Sequence, residues 1–148
     1  MPVTMRPDIV IHKPNGSLVA YVEVKNRAAM DPEIATALRR NLIAHNFLPD
    51  APYFMLLSQE KAYLWTNRGS RDSSIAPDVE IPIKEILENY LPKEVHGRLR
   101  GKELAIAVYA WLSDLTSHRR GTGVGEDELT RAGFIDAIKG AVLSRESE

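Results

Sequence analysis

Asp8, Glu23 and Lys25 are ionisable residues set in apolar, strand-like runs. Asp8 heads Ile-Val-Ile-His at 9–12; Glu23 and Lys25 close Leu-Val-Ala-Tyr-Val-Glu-Val-Lys at 18–25. Such strands usually turn a face to a core, so charges on them need a reason. Glu23 and Lys25 are two apart and share a face. The turn between the runs predicts Asp8 roughly opposite Tyr21 or Val22, its carboxylate beside or diagonal to that of Glu23. Cross-strand Cβ atoms lie about 5 Å apart and diagonal ones about 7 Å. At that spacing two carboxylates can grip one divalent cation. Mg²⁺ prefers hard oxygen ligands and commonly takes one or two carboxylates with waters and phosphate oxygens. It would polarise a phosphate and acidify a water, while the Lys25 ammonium could orient that water or neutralise charge developing on phosphorus. These are the needs of phosphodiester hydrolysis. The plain alternative is an ion cluster at a sheet end. Two facing carboxylates without a metal would repel or trap a proton, which favours the metal site.

The elements that must position these groups follow from pattern. Ile9 and Ile11 point one way; Asp8, Val10 and His12 point the other. Lys13-Pro14-Asn15-Gly16 is hairpin chemistry. On the second strand Val19, Tyr21, Glu23 and Lys25 share a face, with Ala20, Val22 and Val24 behind; apolar residues on both faces mark an interior strand. Asp31-Pro32-Glu33 opens a helix reaching about Asn46, with Asp31 as N-cap. Its stripe Ile34–Leu38–Leu42 is expected on the sheet, leaving Arg39 and Arg40 in solvent. Asn41 and His45 read as hydrogen-bonded core or helix-end groups. Tyr53–Leu57 is a short buried strand, and the strand–helix–strand order predicts a right-handed crossover that makes it parallel to 18–25. Residues 62–66 return antiparallel as an edge strand.

Residues 67–80 read as a polar loop, and from 81 onward the pattern is all helix: an amphipathic turn around Ile83–Leu91, a helix over 99–117 and a last helix over 128–143 weakened by Gly133. The run 104–112 is apolar nearly all round, which predicts burial between layers. The expected organisation is an α/β core over 1–66, the loop, and a helical part over 81–148 packed on that core as one domain. Trp65 and Trp111 read as core.

Pro7-Asp8, fourteen residues, then Glu23-Val24-Lys25 on two strands resembles the PD-(D/E)xK nuclease superfamily, the restriction-endonuclease-like fold. The resemblance covers residues 6–66. Two other Pro-Asp pairs, at 49–50 and 77–78, head no such strand, so context carries the match. The resemblance implies a mixed sheet built of hairpin, crossover helix, parallel strand and edge strand. It also implies Mg²⁺ (Mn²⁺ as substitute) held by Asp8, Glu23 and the Val24 backbone carbonyl, with Lys25 as catalytic lysine. The superfamily normally places a helix and a strand ahead of the Pro-Asp strand. With five residues before Arg6, that layer is expected from a C-terminal helix or a second subunit, hence a homodimer or a partner. In place of the Gln and Tyr that many relatives carry on the crossover helix, Glu33 and Thr36 are the polar residues near the site.

Chain length suits one domain with a real core, and 44% apolar with 26% charged residues is an ordinary globular balance. No run approaches the roughly 20 apolar residues of a membrane span, and no signal-peptide core is read at the start. The absence of cysteine excludes disulfides and thiolate metal sites and fits a cytoplasmic setting. A net charge of −1 argues against a protein that coats nucleic acid indiscriminately, and leaves room for a local basic groove. Asn26, Arg27, Arg39 and Arg40 near the site, and Arg98 and Arg100 further on, are candidate phosphate contacts. For the Arg39–Arg40 pair, solvent exposure alone is the favoured explanation. The expectation is a metal-dependent nuclease, DNA being the favoured substrate. Its competitors are a catalytically silent nuclease-like module that binds nucleic acid or a protein, and an oligomeric helper domain.

Overall fold

In the computed structural model the described residues are 8–27, 30–44, 51–66, 75–91, 101–117 and 126–145. They form β1 (Ile9–His12), β2 (Leu18–Val24), α1 (Pro32–Ala44), β3 (Tyr53–Leu57), β4 (Lys61–Thr66), β5 (Val79–Pro82), α2 (Lys84–Glu88), α3 (Gly101–Thr116), α4 (Glu126–Arg131), α5 (Phe134–Ile138) and β6 (Val142–Arg145). The six strands make one mixed open sheet in the order β5-β4-β3-β2-β1-β6. β2 and β3 are parallel and the other neighbours antiparallel. The fold is α/β, with a parallel pair bridged by α1 as the spacing of those elements predicts.

The β1–β2 turn is closed by Lys13 N–H to Ser17 O and Gly16 N–H to Lys13 O, both 2.8 Å. The Asn15 carboxamide oxygen accepts from the Ser17 amide at 2.9 Å, and Gly16 takes φ +92°, which an L side chain rarely adopts. The register is Ile9↔Val22, Val10↔Tyr21 and Ile11↔Ala20, then His12↔Leu18. β2 therefore carries an extra residue, Val19, opposite the end of β1. This bulge moves Val19 into the same buried cluster as Ala20 and Val22, against simple alternation. One step beyond Ile9↔Val22 the ladder also sets Asp8 against Glu23, rather than against Tyr21 or Val22 as expected.

Two layers of helix cover the sheet. On one face α1 packs Ala35 and Leu42, with Met30 before it, on Phe54, Leu56, Tyr63 and Trp65. Asp31 caps the helix, its Oδ1 accepting from Ile34 N–H at 2.8 Å. The expected stripe is rotated: Ile34 is 39% exposed, whereas Arg39, expected in solvent, is 1% exposed. Its guanidinium lies 5.4 Å from the Trp65 ring centroid, and the flat indole provides both apolar cover and a cation–π partner. Asn41 is exposed; His45 lies outside the described residues.

On the opposite face α2, α3, α4 and α5 bury Ile86, Leu87, Leu104, Val108, Trp111, Leu129, Phe134 and Ile138 against Ile9, Ile11, Ala20, Val22, Met55, Leu64 and Ile81. α3 is an outer layer with one buried face, not a helix between layers, and Ile106 on its outer side is 49% exposed.

Three further expectations change. β4 lies between β3 and β5, not at an edge. The C-terminal part is not all helix, since β5 begins inside the expected loop and β6 extends the sheet beyond β1. The last helix is broken at Gly133, whose φ of +81° takes the left-handed conformation, and a second turn at Gly140 (φ +69°) releases the chain into β6. Among the described residues no helix is long and apolar enough to cross a membrane.

Candidate active site

The site forms where β2 runs out. The partner rows run Glu23↔Leu56, Leu56↔Tyr63 and Tyr63↔Glu80, so one lateral line on the α1 face crosses four strands. Leu56 and Tyr63 are fully buried, and Glu23 is only 6% exposed beside them. A carboxylate here loses most of its water, which costs free energy unless it is paired or neutralised.

The Lys25 ammonium lies 3.2 Å from Glu23 Oε2, its side chain 28% exposed. Asp8 is half-buried, and its own Oδ2 accepts the Val24 N–H at 2.7 Å, so the carboxylate is fixed at the end of the ladder facing Glu23. The Glu23 carboxyl is pushed above its ordinary value, first by burial and then by the Asp8 charge; Lys25 pulls it back only in part. With all three groups ionised, the cluster of Asp8, Glu23 and Lys25 would hold one net negative charge in a poorly hydrated corner.

Asp8, Glu23 and Lys25 are brought together as their spacing predicts. Asn26 and Arg27 follow directly and are exposed, as is Arg40 on α1. Arg39 is withdrawn beneath α1 against Trp65 and is not available to a phosphate, a correction to its place among the candidate contacts. Arg98 and Arg100 lie outside the described residues, as do His96 and His118. Glu33 is exposed, and the Thr36 hydroxyl donates to Pro32 O within its own helix at 2.7 Å. His12 bonds through Nε2 to Ser144 Oγ at 3.1 Å, a strand-to-strand tie between β1 and β6.

Two features escaped the sequence. Gln59, in the β3–β4 turn, is 8% exposed, and its Nε2 donates to Asn26 Oδ1 at 3.0 Å. A Ser-Gln-Glu-Lys turn reads as solvent-facing, and nothing in its letters signals that burial. The other is Tyr63, whose hydroxyl donates to the Met30 carbonyl and whose phenol is pushed up to about 12 by burial, then by the Glu80 and Asp31 charges. A cavity of about 650 Å³ lies elsewhere, beside β5 and α4, lined by residues including Thr66, Asp78, Glu128 and Arg131. β5 is three strands from β2, so that hollow is not part of the Glu23 cluster.

The donor set suits a hard cation. Two carboxylates are present, and the described residues hold no group of three or more His, Cys, Asp or Glu placed to share an ion. Carboxylate oxygens are the kind of donor Mg²⁺ or Mn²⁺ takes, with water and substrate oxygens completing its shell. The class defined by fold and geometry is a mixed-sheet α/β protein with a carboxylate pair and a lysine at the end of its central parallel strand. No family model, curated protein or solved structure matches the chain. Function is therefore argued from its own residues.

Proposed function

We propose that the protein is a metal-dependent nuclease of the PD-(D/E)xK kind that hydrolyses phosphodiester bonds, in DNA first. The supporting observation is the arrangement of Glu23: buried, opposed by Asp8 and held by Lys25 at 3.2 Å. A structural ion pair gains nothing from a second carboxylate that raises the proton affinity of the first. A cation site does, because a divalent ion turns the cluster's single negative charge into a positive one that attracts phosphate.

Asp8 and Glu23 would hold Mg²⁺, with the Val24 carbonyl as the third protein oxygen that the resemblance to the superfamily supplies. The ion would polarise the phosphate and acidify water. The chain's own groups do the rest. The hydrogen bond from the Val24 amide holds the Asp8 carboxylate in place, so little reorganisation of that group is needed at the moment of reaction. With Glu23 engaged by a cation, Lys25 would be free to bring its ammonium to the attacked phosphate. There it donates to a phosphate oxygen or orients the attacking water. Arg27 and Arg40 are exposed cations for flanking phosphates. The chain acts as a homodimer or with a partner subunit in this reading.

The test is incubation with circular single- and double-stranded DNA and with RNA, in Mg²⁺, Mn²⁺ or chelator. Metal-dependent cleavage that disappears in Asp8→Ala and Lys25→Ala is expected. Cleavage surviving both substitutions would be contamination and end the proposal. Binding without cleavage, its log affinity falling steeply with log salt, would favour the silent module instead.

A further inference from the structure

We infer that Gln59 is a positioning residue for Lys25, acting through Asn26 and Arg27; the inference rests on the nuclease reading. β2 ends at Val24, so Lys25 stands one residue beyond the ladder on a flexible four-carbon stem. Its N–H still reaches Leu57 O at 2.8 Å, but the chain then turns sharply, with Arg27 N–H bonded back to Lys25 O at 2.8 Å. Gln59 holds that turn twice: its backbone N–H donates to Arg27 O at 2.9 Å and its side-chain Nε2 to Asn26 Oδ1 at 3.0 Å.

The mount behind Gln59 is itself stiff. Ser58 N–H donates to Lys61 O at 2.9 Å and Ser58 Oγ accepts from Lys61 N–H at 3.2 Å, closing the turn on itself. Ile83 N–H donates to Glu60 O at 3.0 Å and anchors the same turn to the end of β5. Ser58 is wholly buried and Gln59 nearly so, unusual for polar residues in a four-residue turn. In the resting site Lys25 is aimed by Glu23. Once a cation takes that carboxylate the ammonium loses this partner, and its direction depends on the backbone at 25–27. Gln59 supplies that direction.

The experiment uses the full chain with Gln59→Met, which keeps length and removes the donor, Asn26→Ala, and the double variant. With Mn²⁺ and DNA, each single variant is expected to lower kcat roughly ten- to hundred-fold with KM within about two-fold, the scale of a small misplacement of a catalytic group. The double variant is expected to be no worse than either single, because both remove one bond. Melting curves establish that each variant is folded at the assay temperature. A kcat for Gln59→Met within two-fold of the parent, or additive losses in the double variant, would overturn the assignment. A readout independent of cleavage is the ¹⁵Nζ resonance of Lys25 in saturating Mg²⁺ without DNA, which should shift and broaden in Gln59→Met. An unchanged resonance overturns the inference whether or not the protein cuts DNA. An altered resonance in a protein that never cuts leaves Gln59 fixing Lys25 while the nuclease reading fails.

Discussion

Glu23→Gln separates a cation site from an ordinary ion cluster, because the two readings predict opposite orders of stability. The Glu23 carboxyl is raised above its ordinary value of 4.5, so the folded protein holds that proton more tightly than the unfolded chain. Ionised Glu23 therefore destabilises the fold as pH rises from 4.5 through the folded value, fully above it, and acidification relieves the penalty. One component can be sized. Carboxylates about 5 Å apart repel by about 3 kcal/mol at an effective dielectric constant near 20. Lys25 opposes this, yet burial and Asp8 together outweigh it. Glu23→Gln removes the charge and keeps an acceptor for Lys25. In chelator at pH 7.5 the variant should melt above the parent. With free Mn²⁺ at a hundred times its dissociation constant the parent gains about 2.7 kcal/mol. For a chain of this length that is a rise of about 5 to 10 °C. Glu23→Gln and Asp8→Asn lack the ligand pair and should gain little, so the order of melting reverses. Differential scanning calorimetry with and without Mn²⁺ reads both arms. A Glu23→Gln protein that melts below the parent in chelator, or that gains as much from Mn²⁺, would refute the reasoning.

Other substitutions test neighbouring parts of the argument. Lys25→Met removes the charge that lowers the Glu23 carboxyl, and metal ligands must be deprotonated; the pH at half-maximal Mn²⁺ binding, followed by electron paramagnetic resonance, should rise. Arg39→Ala empties a buried site over Trp65 and should cost about 2 to 4 kcal/mol in urea unfolding, leaving nucleic-acid affinity of the folded protein unchanged. Tyr63→Phe removes the bond to the Met30 carbonyl at about 1 to 2 kcal/mol, and the phenol titrating at about 12 should vanish from the absorbance curve. Gly133→Ala places a Cβ 3.0 Å from the Tyr53 hydroxyl at a φ of +81° and should cost about 1 to 2 kcal/mol by thermal melting.

What the sequence revealed was the part encoded locally. The hairpin is written in Pro14-Asn15-Gly16 and the α1 start in Asp31-Pro32; the parallel β3 follows from the spacing of short apolar runs. What it hid depends on partners distant in the chain. Arg39 reads as a surface cation until Trp65, on β4, offers it a ring. Val142–Arg145 continues a helical pattern in its letters, and becomes β6 because two left-handed glycines end the helices and β1 presents an open edge. The bulge at Val19 is likewise invisible in an apolar run. It is the step that brings Asp8 from the row of Val22 to one facing Glu23.

That bulge bears on why the carboxylates face each other at all. Had β1 and β2 kept the regular register of the His12↔Leu18 end, Asp8 would have stood opposite Val22, whose side chain enters the core under α3. Its carboxylate would then point into apolar surroundings, an arrangement a sheet avoids. The extra residue turns Asp8 to the α1 face and ties it to the Val24 amide, at the cost of opposing a second carboxylate. Packing alone would remove that cost by placing a neutral residue at either position. On the proposed reading, a chain that keeps both acids, buries one and pairs it with a single lysine is shaped around an additional positive charge. The reversal of melting order on adding Mn²⁺ is how that missing charge should declare itself.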